Sequence, residues 1–163
     1  MRLFKINLMK NNPTFKKVSI RDVKFGKNVV IVEPVNLYEC FINDNTFIGP
    51  FVEIQKGVRI GKNCKIQSHS FICELVIIGD NCFISHGVMF INDTFSSGHP
   101  AGGDKKLWKP TTIGNNVSIG TNATILPVKI SDNVVIGAGS VVTKDILKPG
   151  IYVGNPAIKL RDL

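Results

Sequence analysis

Lys56, Glu74 and Asn92 follow one another at intervals of 18 residues, and His69 and His86 lie 17 apart in the same region. Asn92 also stands at the start of a long polar, aperiodic stretch, residues 91–110, that contains His99 and Trp108. A carboxylate, an amide and an ammonium beside two imidazoles could bind and orient a polar substrate. Imidazole titrates near neutral pH, which makes His86 the candidate for a general base. The same residue types also suit solvated turns, and spacing alone leaves both readings open. Other chemistries drop out. There is no Gly-x-Ser-x-Gly elbow and no cysteine with a turn-mounted histidine beside it. Gly102-Gly103-Asp104-Lys105 lacks the framework of a phosphate-binding loop. Three separated histidines assemble no metal site. Cys40, Cys64, Cys73 and Cys82 form no Cys-x-x-Cys pair, so they are expected to be free, buried thiols rather than zinc ligands or disulfides.

The elements that must position these residues are set by a repeat. Isoleucine occupies 42, 48, 54, 60, 66, 72, 78 and 84, eight hits at a step of six, with Phe90 next in line. The step resumes at Ile113, Ile119 and Ile125, then at Ile130, Ile136 and Val142, and upstream at Phe25, Ile31 and Leu37. It slips by one residue between 37 and 42 and again between 125 and 130. Four residues after each leading position comes a smaller one, among them Thr46, Val52, Cys64, Ser70, Cys82, Val88 and Ala123. Helices do not repeat at six, and plain amphipathic strands repeat at two. A large aliphatic residue, a turn and a small inward residue every six describe one flat side of a triangular solenoid. Three sides make a coil of 18 residues, and coils stack about 4.8 Å apart, as neighbouring strands do. The expectation is a single domain over 1–163 with the repeat over about 18–157. Lys56, Glu74 and Asn92 then form one column on consecutive coils, His69 and His86 share a corner, and residues 91–110 leave the solenoid as a long inserted loop. Loops of that length in compact domains are usually functional or disordered.

Composition agrees. The 163 residues include 21 Ile and 17 Val against nine Leu and four Ala, with 15 Asn and 15 Gly. β-Branched residues favour strands, Leu and Ala favour helices, and Asn and Gly tolerate left-handed turns, so the chain is expected to be all-β. A formal charge of +8 suggests an anionic partner. The lysines are scattered, however, and one Trp with two Tyr makes a poor platform for nucleic acid. No apolar run reaches the length of a membrane span, and the opening Met1–Asn7 carries no secretion-type apolar stretch; cytoplasmic residence is therefore expected.

The six-residue pattern resembles that of the left-handed parallel β-helix acyltransferases, and the handedness is taken from that resemblance. Longer strings are more specific: Val35-Asn36-Leu37-Tyr38, Phe51-Val52-Glu53-Ile54-Gln55-Lys56-Gly57, Ser68-His69-Ser70-Phe71-Ile72-Cys73-Glu74 and His86-Gly87-Val88-Met89-Phe90-Ile91-Asn92-Asp93. They resemble the nucleotide-sugar N-acetyltransferases that acetylate the 3-amino group of dTDP-3-amino-3,6-dideoxyhexoses, with close relatives acting on UDP-linked sugars. The resemblance implies an acetyl-CoA-dependent homotrimer with active sites between subunits and no metal. It implies Asn92 as the residue that holds the sugar amine; Glu74, one coil away in the same column, would attract that amine, and His86 is the candidate if a base is used, so these three are the expected catalytic residues. His69, Gln55, Lys56, Phe90, Asp93, Lys105 and Trp108 would bind substrate. Ser118, Thr121, Ala138 and Lys144 would bind acetyl-CoA along the C-terminal coils. The amine would attack the thioester directly and the departing sulfur would take the proton. Only six residues follow Ala157, which leaves little length for a helix covering the cofactor.

Competing expectations are an O-acetyltransferase or serine acetyltransferase-like enzyme of the same fold, which would need His86 as base, and a structural β-helix or a carbonic-anhydrase-like metal protein.

Overall fold

The computed structural model describes residues 19–163; the first 18 residues, including the expected start of the repeat, lie outside the described part. The chain winds into a left-handed parallel β-helix of triangular cross-section. Its three faces are parallel sheets of seven, six and eight strands, the last including one antiparallel strand at its end. The first face stacks Asn36–Tyr38, Glu53–Ile54, Phe71–Ile72, Met89–Phe90, Thr124–Ile125 and Val141–Val142 over Ile20–Arg21.

Every leading residue from Leu37 to Ile136 points inward, and so does every small position from Thr46 to Ser140. Each coil thus contributes three large and three small side chains to one continuous core. Register follows the sequence slips. Ile54 pairs with Ile72 at a step of 18, whereas Leu37 pairs with Ile54 and Ile113 with Ile130 at a step of 17. After the loop the repeat resumes in register, Ile78 beside Ile113 and Phe90 beside Ile125. The loop is therefore an insertion at one corner and leaves the prism intact.

The corners need backbone that ordinary residues resist. Asn28, Asn45, Asn63 and Asn81 all have φ between 54° and 57°. Their amides form a ladder, Asn45 Nδ2 donating to Asn63 Oδ1 at 3.2 Å and Asn63 Nδ2 to Asn81 Oδ1 at 3.1 Å. Asparagine suits this column because it tolerates the left-handed region and its side chain bonds along the stack. Close coil approach explains the glycine after a leading isoleucine: a Cβ on Gly79 would lie 2.6 Å from the Gly114 carbonyl oxygen.

As the short stretch after Ala157 implies, no helix forms at the C-terminal end; Ile158–Arg161 folds back antiparallel on Gly150–Val153. That strand occupies the sheet edge that a further coil would otherwise extend. Leu147, Ile158 and Leu160 remain exposed at this end.

Candidate functional site

Two edges of the first face carry the predicted site residues. Where the chain turns from the first face to the second, Lys56, Glu74 and Asn92 stack in one column, and Asn92 is where the loop departs. Asn92 Nδ2 donates to the Glu74 backbone carbonyl at 3.3 Å, which leaves Oδ1 as an outward acceptor. Gln55 holds this edge from below: its Oε1 accepts from the Glu74 backbone N–H at 3.3 Å, while its Nε2 donates to Glu53 Oε1 at 3.0 Å. Lys56 is engaged elsewhere, in an ion pair with Glu39.

The loop folds back onto the column. Asp93 accepts from the backbone N–H of Phe95 at 2.9 Å and of Ala101 at 2.8 Å, and these bonds hold its carboxyl below the usual range. Asp104 caps a short 3₁₀ turn at Lys105–Leu107. From that turn Lys105 Nζ donates to both Glu74 oxygens, at 2.8 and 2.7 Å, and lies 5.2 Å from the Trp108 ring centroid. The Glu74 side chain is only 17% exposed while Lys105 is 57% exposed, so a half-buried carboxylate meets a solvent-facing ammonium.

At the other edge, where the third face turns into the first, Ser68, His86, Thr121 and Ala138 stack in one column. Ser68 Oγ and His86 Nδ1 are 2.8 Å apart, and Ser85 Oγ and Thr121 Oγ1 are 2.8 Å apart. His69 stands beside this column on a left-handed backbone, φ 64°, with its ring 4.9 Å from that of Phe51. Higher on the same corner the wall is low at Ala138 and Gly139, with nothing within 4 Å of where a Gly139 Cβ would point, whereas Gly120 and Gly137 sit where the next coil packs against them.

Glu74, Asn92, Gln55, Asp93, Lys105 and Trp108 are thus gathered at one edge, and His69, His86, Thr121 and Ala138 at the other. Ser118 faces outward on the third face, next to the second edge. Two expectations are corrected. Phe90 is 1% exposed: it takes the leading inward position of its hexad, so its side chain packs the core and cannot line a substrate site. Lys144, two residues past Val142, lies at the Glu74 edge of its coil rather than beside Thr121 and Ala138. Two residues escaped the sequence reading. Ser68 orients the His86 ring, and its 18-residue spacing from His86 was the available signal. Tyr38, stacked against Arg21 at 4.9 Å, has its phenol pushed above 10.0 by burial, with the Glu53 and Glu74 carboxylates adding to it.

A recess of about 300 Å³ lies between Pro34, Asn36, Phe51 and Glu53, and another of about 340 Å³ between Lys24, Glu39 and Arg59. Neither is lined by Glu74, Asn92 or Lys105.

Against known proteins, residues 39–74 match the bacterial transferase hexapeptide family (six repeats) and residues 110–144 the hexapeptide repeat of succinyl-transferase. With the β-helix already described, these define the class: a parallel β-helix whose repeats are similar to those of the hexapeptide-repeat transferases. A curated relative, the bifunctional protein GlmU of Streptococcus uberis, is 32% identical over 142 residues, covering 83% of this chain and 31% of that protein. The chain therefore spans under a third of that relative's length. Among solved structures, a galactoside acetyltransferase in complex with coenzyme A is 37% identical over 74% of this chain and 64% of its own, with a TM-score of 0.64. A variant of AntD, an N-acyltransferase from Bacillus cereus in complex with dTDP and coenzyme A, is 25% identical over 88% of this chain and 85% of its own, also with a TM-score of 0.64.

Proposed function

We propose that the protein transfers an acetyl group from acetyl-CoA to the 3-amino group of a dTDP-3-amino-3,6-dideoxyhexose, in a cytoplasmic pathway that supplies surface glycans. The observation that carries this reading is the Glu74–Asn92 column: a half-buried carboxylate, already paired with an alkyl ammonium, beside an outward amide oxygen. That is an amine subsite. Glu74 attracts the protonated sugar amine, and Asn92 Oδ1 accepts from it once a proton has left. The solved neighbours holding coenzyme A, one of them also dTDP, support the choice of donor and nucleotide.

Acetyl-CoA lies along the low wall of Thr121 and Ala138, where small side chains admit an extended pantetheine. This wall and the amine column are opposite edges of one face, so one chain cannot bring thioester and amine together. A homotrimer in which the amine edge of one chain faces the cofactor edge of the next closes the site. The amine lone pair attacks the thioester carbon, the C–N bond forms as the C–S bond breaks, and the departing sulfur takes the proton. A sugar amine resembling an α-amino group has a pKa of about 8, so about a tenth is already neutral at pH 7. Positioning can then supply most of the rate, with effective molarities of 10⁵ M or more in reach.

A second reading rests on the Ser68–His86 contact. In the tautomer in which Nδ1–H donates to the Ser68 hydroxyl oxygen, the ring is fixed and Nε2 is left as a base, which acetylation of a sugar hydroxyl would require. An acetyl-CoA-dependent thiol-release assay over 3-amino and 4-amino dTDP and UDP sugars, with hydroxyl acceptors alongside, separates the two. Turnover with 3-amino sugars is the expected result; turnover with hydroxyl acceptors alone overturns it.

A further inference from the structure

We infer that Lys105 is an internal acetyl acceptor: in the absence of sugar, the enzyme acetylates the Nζ of its own loop lysine. The inference rests on the reading of Glu74 and Asn92 as the amine subsite. In the sugar-free chain that subsite already holds an amine. Lys105 Nζ sits 2.8 and 2.7 Å from the two Glu74 oxygens, the place assigned to the sugar's own ammonium. It is not held there by the ion pair alone. Asp104 caps the 3₁₀ turn that carries Lys105, Asp93 ties the loop at Phe95 and Ala101, and the Lys109 N–H bonds the Asn92 carbonyl at 2.9 Å. A tethered amine placed where the substrate amine reacts has a large effective concentration, whereas the other loop lysines meet acetyl-CoA only by collision.

The step is the enzyme's own reaction on an internal nucleophile. The ammonium releases one proton to solvent, the Nζ lone pair attacks the thioester carbon of acetyl-CoA, and the C–S bond breaks as the C–N bond forms. The thiolate leaves with its electron pair and takes up the second proton, from the newly acylated nitrogen. Acetylated Lys105 has no charge to offer Glu74, so the carboxylate is freed for the sugar. Lys106 and Lys109 are exposed neighbours in the same loop without a hydrogen bond from Nζ to Glu74, and they serve as internal standards.

The test is peptide mass spectrometry of the intact protein after incubation with acetyl-CoA, with and without an amino-sugar nucleotide, alongside Glu74→Gln and Lys105→Arg. Acetylation at Lys105 should exceed that at Lys106 and Lys109 by about tenfold or more. Saturating sugar should suppress it, and Glu74→Gln should bring Lys105 down to the level of its neighbours without a change in melting temperature. Lys105→Arg, which keeps the charge and cannot be acylated in this way, should lose the label while keeping the Glu74 pair. Equal labelling of all three lysines marks plain chemical acetylation and overturns the inference. So does an unlabelled Lys105 in a preparation that turns over an amino sugar, and in that case the proposed function stands. A preparation that acetylates neither sugar nor Lys105 overturns the function and the inference together.

Discussion

Asn63 holds a left-handed backbone, φ 55°, in the middle of the asparagine ladder. An alanine there faces the left-handed penalty of roughly 1–2 kcal/mol and leaves two amide bonds unmade. Asn63→Ala should therefore lower urea stability by about that amount, and Asn63→Gly, free of the backbone penalty, should recover most of it. Equal losses in the two variants would assign the stability to the side-chain ladder alone. The thiols behave as buried small residues. Cys64 and Cys82 stack on adjacent coils, with the Cys82 N–H directed at Cys64 Sγ at 3.4 Å, and all four cysteines are free. Burial pushes the Cys73 thiol from 9.0 up to about 12. The fold thus favours the protonated form. Its contribution is complete below about pH 9, where the unfolded thiol also keeps its proton, and is lost as pH rises toward 12. The loss is at most about 1.4 kcal/mol per pH unit for this one group. Unfolding titrations above pH 9 should show a decline that is shallower in Cys73→Ala; an identical decline would place the alkaline sensitivity elsewhere.

At the scale of elements, the inserted loop is organised by one carboxylate. Asp93 binds both limbs of the loop and has its pKa lowered, chiefly by the Ala101 N–H and then by that of Phe95. The sign follows: the ionised form is favoured when the loop is docked, so the anchoring is complete above the ordinary carboxylate range and fails as pH falls through the depressed value. Hydrogen exchange over residues 94–104 should rise below about pH 4, where free carboxylates titrate, and in Asp93→Asn at every pH. Unchanged exchange in that variant would show that the loop is held by Lys105 and Lys109 instead. The solenoid itself was legible because its constraint is repetitive: every sixth residue meets the same triangular interior, so Ile42 to Ile84 announce both period and core. Register slips were legible for the same reason. The loop contacts were not, since no periodicity relates Lys105 to Glu74, 31 residues earlier. Phe90 misled because its string sits beside Asn92 and Asp93, while hexad position, not neighbourhood, decides which way a side chain points. The closing strand Ile158–Arg161 has no hexad and gave no signal.

At the scale of the molecule, the proposed function makes the two edges of the first face opposite halves of one site that only assembly would join. Trimers formed by mixing Asn92→Ala chains with Ala138→Trp chains should regain activity that each variant alone lacks, because an intact amine edge can then face an intact cofactor edge. No recovery, in mixed trimers confirmed by native mass spectrometry, would place the whole site within one chain. The central claim is that Glu74 and Asn92 receive the acceptor amine. It is tested most directly by steady-state thiol release from acetyl-CoA with a dTDP-3-amino-3,6-dideoxyhexose, comparing the unaltered protein with Asn92→Ala and Glu74→Gln. Loss of one positioned polar contact in a dry site should lower kcat/KM roughly 10- to 1,000-fold in Asn92→Ala, with a decrease in Glu74→Gln that exceeds any change in folding. Near-unaltered turnover in both variants, with assembly and melting temperature unchanged, would contradict the account and move the site to the corner of His69 and His86.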